Sequence, residues 1–187
     1  MLNPVFTNIL SAALLAAGVC LGSAVLAQTD LGVARYTDSR ELIYPDNLDE
    51  WIHTGSLVGG RYSDTPPDPS VPGTIQVVQM EPAAYRYFRD HGEFAEGTMF
   101  LLSFYAPESK SDPQLQGYVQ GALQAQEIHV VDSERFTEGH AFFMFDTPEH
   151  TPSSKIPDGS DCVACHTSEA AYRGTFTQFY PVLRDRL

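Results

Sequence analysis

Residues 98–105 read Thr98-Met99-Phe100-Leu101-Leu102-Ser103-Phe104-Tyr105. The run has a high apolar content and Pro107 stops it, so it predicts a β-strand. Three neighbours read the same way. Thr74-Ile75-Gln76-Val77-Val78-Gln79-Met80 is β-branched, residues 127–131 lead into the turn Asp132-Ser133-Glu134-Arg135-Phe136, and Ala141-Phe142-Phe143-Met144-Phe145 is dense in aromatics. Pro82 opens a helix that carries Tyr85 and Phe88, and Gly92 ends it. Residues 45–53 predict a turn and one short helix, with Asp46 or Asn47 as cap and Trp51 on an apolar side.

The remaining segments are read from composition. Residues 55–73, 106–113 and 147–161 are rich in turn formers and predict loops. Residues 114–126 have the composition of a helix, weakened by Gly117 and Gly121. Residues 167–172 and 175–183 predict helices. The pattern is α+β: an antiparallel β-sheet packed with helices, the C-terminal helix carrying a cysteine–histidine motif. The strands and the 13 prolines argue against a helix bundle.

The chain has 187 residues, enough for one domain with a substantial core. Apolar residues make up 43 % and charged residues 19 %, a globular balance. Eleven basic against 24 acidic side chains give a net charge of −13, which repels phosphate backbones and excludes a nucleic-acid partner. The acidic excess reads most simply as a solvated surface, and as a docking face it favours a basic redox partner over an acidic one.

Residues 1–27 hold no charged side chain. An apolar run from Ile9 to Val19 leads to Val25-Leu26-Ala27, a small-residue cleavage pattern. This predicts a signal peptide over residues 1–27, export to the periplasm, one domain over residues 28–187, and no stable membrane anchor once the signal is cleaved. The alternative is an uncleaved N-terminal anchor. Val19 before Cys20 disfavours a lipoprotein. Cleavage removes Cys20 and leaves Cys162 and Cys165.

Those two lie in Cys162-Val163-Ala164-Cys165-His166. This is C-x-x-C-H, the attachment signature of haem c. Two thiols three residues apart can each add to one vinyl group of the same haem, and the next residue, His166, is held as the iron ligand. A redox dithiol has no need of the histidine, and a zinc site needs further ligands that no second cysteine pair supplies. The prediction is one covalently attached haem c. No Met follows His166. Met80, Met99 and Met144 lie upstream in apolar or strand-like sequence and read as core, so the sixth iron position is expected to be open.

Several segments together are similar to the cytochrome P-460 family, which includes the β-sheet cytochromes c′. They are Pro82-Ala83-Ala84-Tyr85-Arg86-Tyr87, Gly92-Glu93-Phe94-Ala95-Glu96-Gly97-Thr98, Val131-Asp132-Ser133-Glu134-Arg135-Phe136, the haem motif, and Phe176-Thr177-Gln178-Phe179-Tyr180-Pro181. The resemblance implies an antiparallel sheet over one haem face, a C-terminal proximal His and a homodimer. It also implies hydroxylamine oxidation in those members whose haem edge is bonded to a Lys. That Lys belongs to the strand after the F-x-x-G-T segment. Here the strand has none, and Leu102 takes the place. The only lysines, Lys110 and Lys155, fall in predicted loops.

Strand alternation puts Phe100, Leu102 and Phe104 on one face, and Phe143 and Phe145 on one face of a later strand. Phe100, Leu102, Phe104 and Phe143 are therefore the expected cap of an apolar distal pocket. Such a pocket admits small neutral gases such as NO and CO. Glu127, Asp132 and Glu134 are candidate acids. His53, His91, His129, His140 and His150 read as surface or turn residues, with His140 leading into the aromatic strand. Three activities fit: binding or handling of NO and similar nitrogen-oxide or gaseous ligands, hydroxylamine oxidation or peroxide reaction, and simple electron transfer.

Overall fold

The computed structural model describes residues 30–62, 72–112, 114–145, 149 and 151–186. The predicted signal peptide, Cys20 and His150 lie outside them. Five antiparallel strands form one sheet in chain order: β1 (Ile52–Gly60), β2 (Thr74–Met80), β3 (Thr98–Asp112), β4 (Leu115–Val131) and β5 (His140–Phe145). Helix α1 (Pro82–His91) links β2 to β3. Helix α2 (Asp161–Glu169) and the short α3 (Pro181–Arg184) follow the sheet. The α+β architecture is as the sequence predicts.

The termini of α1 are built as read. Pro82 sits in the first turn, the Glu81 carboxylate accepts from Ala84 N at 2.7 Å, and Gly92 closes the helix with φ +75°. The helix buries Ala84 and Phe88 against Val78, Met80, Phe94, Phe100, Val131 and Leu183. The 45–53 segment differs. It forms only a 3-10 turn (Leu48–Glu50), and Asn47 accepts from Trp51 Nε1 instead of capping a helix.

Three segments depart from expectation for identifiable reasons. Residues 55–60 belong to β1. Glycine is required there by packing, since a Cβ on Gly55 would lie 2.7 Å from the Tyr180 ring. Residues 106–112 and 115–125 are strand, neither loop nor helix. β3 and β4 run on as a two-stranded ribbon past the point where β2 and β5 stop. Pro107 adjoins a register shift, where the ladder is already interrupted, and Gly121 lets the strands close, its Cβ position lying 2.9 Å from the Ala106 carbonyl. Residues 161–169 form one helix, capped by the Ser160 hydroxyl, and the tail beyond is a turn, a 3-10 turn (Thr177–Phe179) and α3.

Register decides the faces. Phe100 pairs with His129, and His129 with Phe142; Leu102 pairs with Glu127. Residues directly opposite in antiparallel strands point the same way. One face thus carries Phe100, Leu102, Phe104, Glu127, His129, His140 and Phe142, under α1 and the C-terminal tail. The other carries Met99, Leu101, Ile128, Val130, Phe143 and Phe145, covered by Leu42, Trp51 and Tyr36. Leu101 is 1 % exposed at the centre of that second cluster. Leu101→Ala should cost about 3 kcal/mol in urea unfolding by transfer and cavity terms. Arg86→Ala on the exposed side of α1 should stay within about 0.5 kcal/mol. Equal costs would contradict this division of the core.

Candidate functional site

The whole motif lies on α2. Val163 faces inward and is buried, while both thiols are free and exposed on the helix. Positions three apart fall on one side of a helix, so Cys162 and Cys165 stand together. His166 is half-buried. Its Nδ1 donates to the carbonyl of Gly174 at 2.7 Å. A carbonyl only accepts, so this bond sets the tautomer and leaves Nε2 with a lone pair. Burial also lowers the pKa of His166 below the ordinary 6.5, which favours the neutral, metal-binding form.

The imidazole rests on an aromatic seat. Its ring lies 4.5 Å from Phe142, 4.7 Å from Phe176 and 5.7 Å from His129. His129 in turn stacks on Phe142 at 4.5 Å and on Phe100 at 6.0 Å, and meets the edge of His140 at 5.2 Å. His129 and His140 were expected in turns or at the surface; both are buried. Strand alternation places 129 beside 131 on the packed face. Burial holds both rings below the ordinary histidine pKa, which favours their neutral form. The Nε2 of each has no hydrogen-bond partner among the described residues. His53 and His91 are exposed, as read.

The expected cap residues separate. Leu102 and Phe104 are half-buried side by side on the face that carries His166, and Tyr62 approaches Phe104 at 6.2 Å. Phe100 shares that face but is sealed in the core between Phe94 and His129. Phe143 is on the opposite face, packed on Tyr36 and Phe136. The expectation that it joins Phe100 is corrected, because register pairs His129 with Phe142, one residue away. Phe142 holds the place beside His166. Met80 and Met99 are core, whereas Met144 is partly exposed on the His166 side of the sheet.

Among the three candidate carboxylates the structure distinguishes Glu127. Asp132 is occupied in its turn, accepting from the backbone N–H of Glu134 and Arg135, and Glu134 is exposed. Glu127 is buried opposite Leu102 and near Cys162, whose thiol pKa is raised first by burial and then by the Glu127 carboxylate. It makes no hydrogen bond or ion pair among the described residues. Burial alone pushes its pKa up to about 7. Lys155 pairs with Asp158 beside the motif loop, and Lys110 lies out on the ribbon opposite Gly117.

The donor set fits a c-type haem: two accessible thiols on one helix, a neutral imidazole with one nitrogen free, and an apolar patch at Leu102 and Phe104. A family model, Cytochrome P460, matches residues 45–177, from the turn before β1 through the motif to Thr177. The chain belongs to the cytochrome P460 family. Comparison with curated proteins gives no match. Membership implies a haem cofactor. The residues that sequence reading missed (His129, His140, Phe142, Phe176 and Gly174) surround His166. Only alternation within β4 and β5 could have pointed to the first three.

A carboxyl with a raised native pKa contributes stability below its unfolded pKa and loses it as pH rises through 7. Urea unfolding of wild type should therefore lose up to about 3 kcal/mol between pH 5 and 8, relative to Glu127→Gln. Parallel pH profiles for the two proteins would show that Glu127 is solvated.

Proposed function

We propose that Cys162 and Cys165 each form a thioether to one haem, that His166 is its axial ligand, and that the chain is an exported haem protein which binds NO and similar small neutral ligands. The observation that carries this reading is the His166–Gly174 hydrogen bond beside two exposed thiols. It fixes one tautomer and directs Nε2 away from the backbone. A haem held by Cys162, Cys165 and His166 would supply iron chemistry that takes up small neutral ligands.

The chain's own residues set the rest. Leu102 and Phe104 offer no hydrogen-bond donor, so they favour neutral ligands over those that need a proton donated. Leu102 also stands where a bonding Lys belongs in hydroxylamine-oxidising relatives, which argues against a haem crosslink here. Hydroxylamine oxidation remains the second reading, because Glu127 supports it: a buried carboxyl that exchanges a proton near neutral pH, next to Cys162. Residues 1–27 support export to the periplasm, and the charge of −13 supports a basic redox partner. The ribbon exposes Leu115, Tyr118, Val119 and Leu123, which supports a homodimer; sedimentation as a monomer at micromolar concentration would contradict that.

The absorption spectrum of the purified ferrous protein tests the reading. A five-coordinate high-spin spectrum that shifts on adding CO or NO is expected, and His166→Ala should alter it while the haem stays attached. A low-spin spectrum without added ligand would favour electron transfer. A strongly red-shifted Soret band would indicate a crosslink and favour the enzyme. A spectrum unchanged by His166→Ala would remove His166 from the iron.

A further inference from the structure

The carbonyl that holds His166 belongs to a strained turn. Tyr172 and Thr175 close it through two backbone hydrogen bonds, at 2.8 and 3.3 Å. Its two central residues both have positive φ: Arg173 at +44° and Gly174 at +69°. Glycine adopts this backbone freely, and arginine does not. Gly174 has a second reason to be glycine, since a Cβ there would lie 2.5 Å from the His140 ring. Strain of this kind persists only where the surroundings impose it.

The imposing contact is the Arg173 side chain. Its Nη2 meets the Glu96 carboxylate at 2.7 Å, and its Nη1 donates to the Phe94 carbonyl at 2.8 Å. Glu96 is 1 % exposed. It also accepts from the backbone N–H of Ser133 at 2.6 Å and from the Ser133 hydroxyl at 2.9 Å. The carboxylate is thus fixed from β3's approach and from the turn after β4 before Arg173 reaches it. Three stretches of the chain, around residues 96, 133 and 173, converge on one buried ion pair. One residue further along the backbone is the acceptor for His166.

We propose that Glu96 and Arg173 are positioning residues which hold the Gly174 carbonyl on His166 Nδ1, and so set the orientation and donor strength of the iron ligand. With the clamp released, Arg173 relaxes toward negative φ and the carbonyl turns away. The imidazole then loses its acceptor, becomes a weaker donor at Nε2 and is free to rotate. The competing reading is that the pair only staples the tail to the sheet. That role predicts lost stability with an unchanged ligand.

This inference rests on His166 being the ligand. Resonance Raman of the exported ferrous holoprotein, with its reduction potential, separates the two. Wild type should show an iron–histidine stretching band that His166→Ala abolishes; if it does not, the ligand assignment fails before any clamp variant is read. Arg173→Gln and Glu96→Gln should then shift the band to lower frequency and raise the potential, with Arg173→Lys in between. Arg173→Lys also covers the case in which the other two do not accumulate, because it keeps a cation beside Glu96 but lacks the second guanidinium nitrogen on the Phe94 carbonyl. Band and potential at wild-type values in any of these haem-loaded variants, whatever its melting temperature, would overturn the proposal.

Discussion

The pairing of β4 with β3 on one side and β5 on the other is the constraint on which the rest of the structure depends. In an antiparallel sheet, a slip of one residue moves every side chain to the other face. The observed register sets Phe100, His129 and Phe142 in one row, and Leu102 opposite Glu127 in the next. That choice places the aromatic seat of His166, the apolar patch and the buried carboxyl on a single face. It also commits Met99, Leu101, Ile128 and Phe143 to the opposite face, where Trp51, Leu42 and Tyr36 complete the core. The two faces serve different ends, the second for stability and the first for the site.

Helix α2 is only nine residues long and buries one side chain, Val163, so packing of its own does little to fix it. It is held from both ends. Before it, Ser153 exchanges backbone hydrogen bonds with Leu42, and Ile156 donates to Phe142 on β5. After it, the turn at residues 172–175 is clamped by Glu96, and Leu183 of α3 is fully buried with Phe88 and Phe94. A short, exposed helix pinned at both flanks keeps its two thiols at the surface while its histidine is kept in place. The buried ion pair contributes more through geometry than through net stability, since desolvation offsets much of its attraction.

Much of this was legible in the sequence. The central strands announce themselves by apolar and β-branched composition, α1 by Pro82 and Gly92, and the motif by spacing. Alternation correctly grouped Phe100 with Leu102 and Phe104. What alternation cannot supply is the register between strands. Phe143 was therefore grouped with Phe100 when its neighbour Phe142 belongs there. The ribbon was hidden because Pro107, Gly117 and Gly121 signal breaks, although here Pro107 adjoins a register shift, Gly121 lets two strands approach closely, and Gly117 stands in regular register opposite Lys110. His129 and His140 looked like polar surface residues. Their burial depends on Phe100, Phe142 and Gly174 arriving from three other places in the chain. The clamp was invisible for the same reason: Glu96, Ser133 and Arg173 are far apart in sequence, and nothing local marks them as partners.

The central proposal is one haem carried by the two thiols of α2. Its most direct test is mass spectrometry of the intact exported protein, followed by peptide mapping after denaturation. The expected result is a mass increased by a single haem, carried on the peptide that contains Cys162 and Cys165, with neither thiol open to alkylation. Two alkylatable thiols on a chain of unmodified mass, or haem released by denaturation alone, would contradict it.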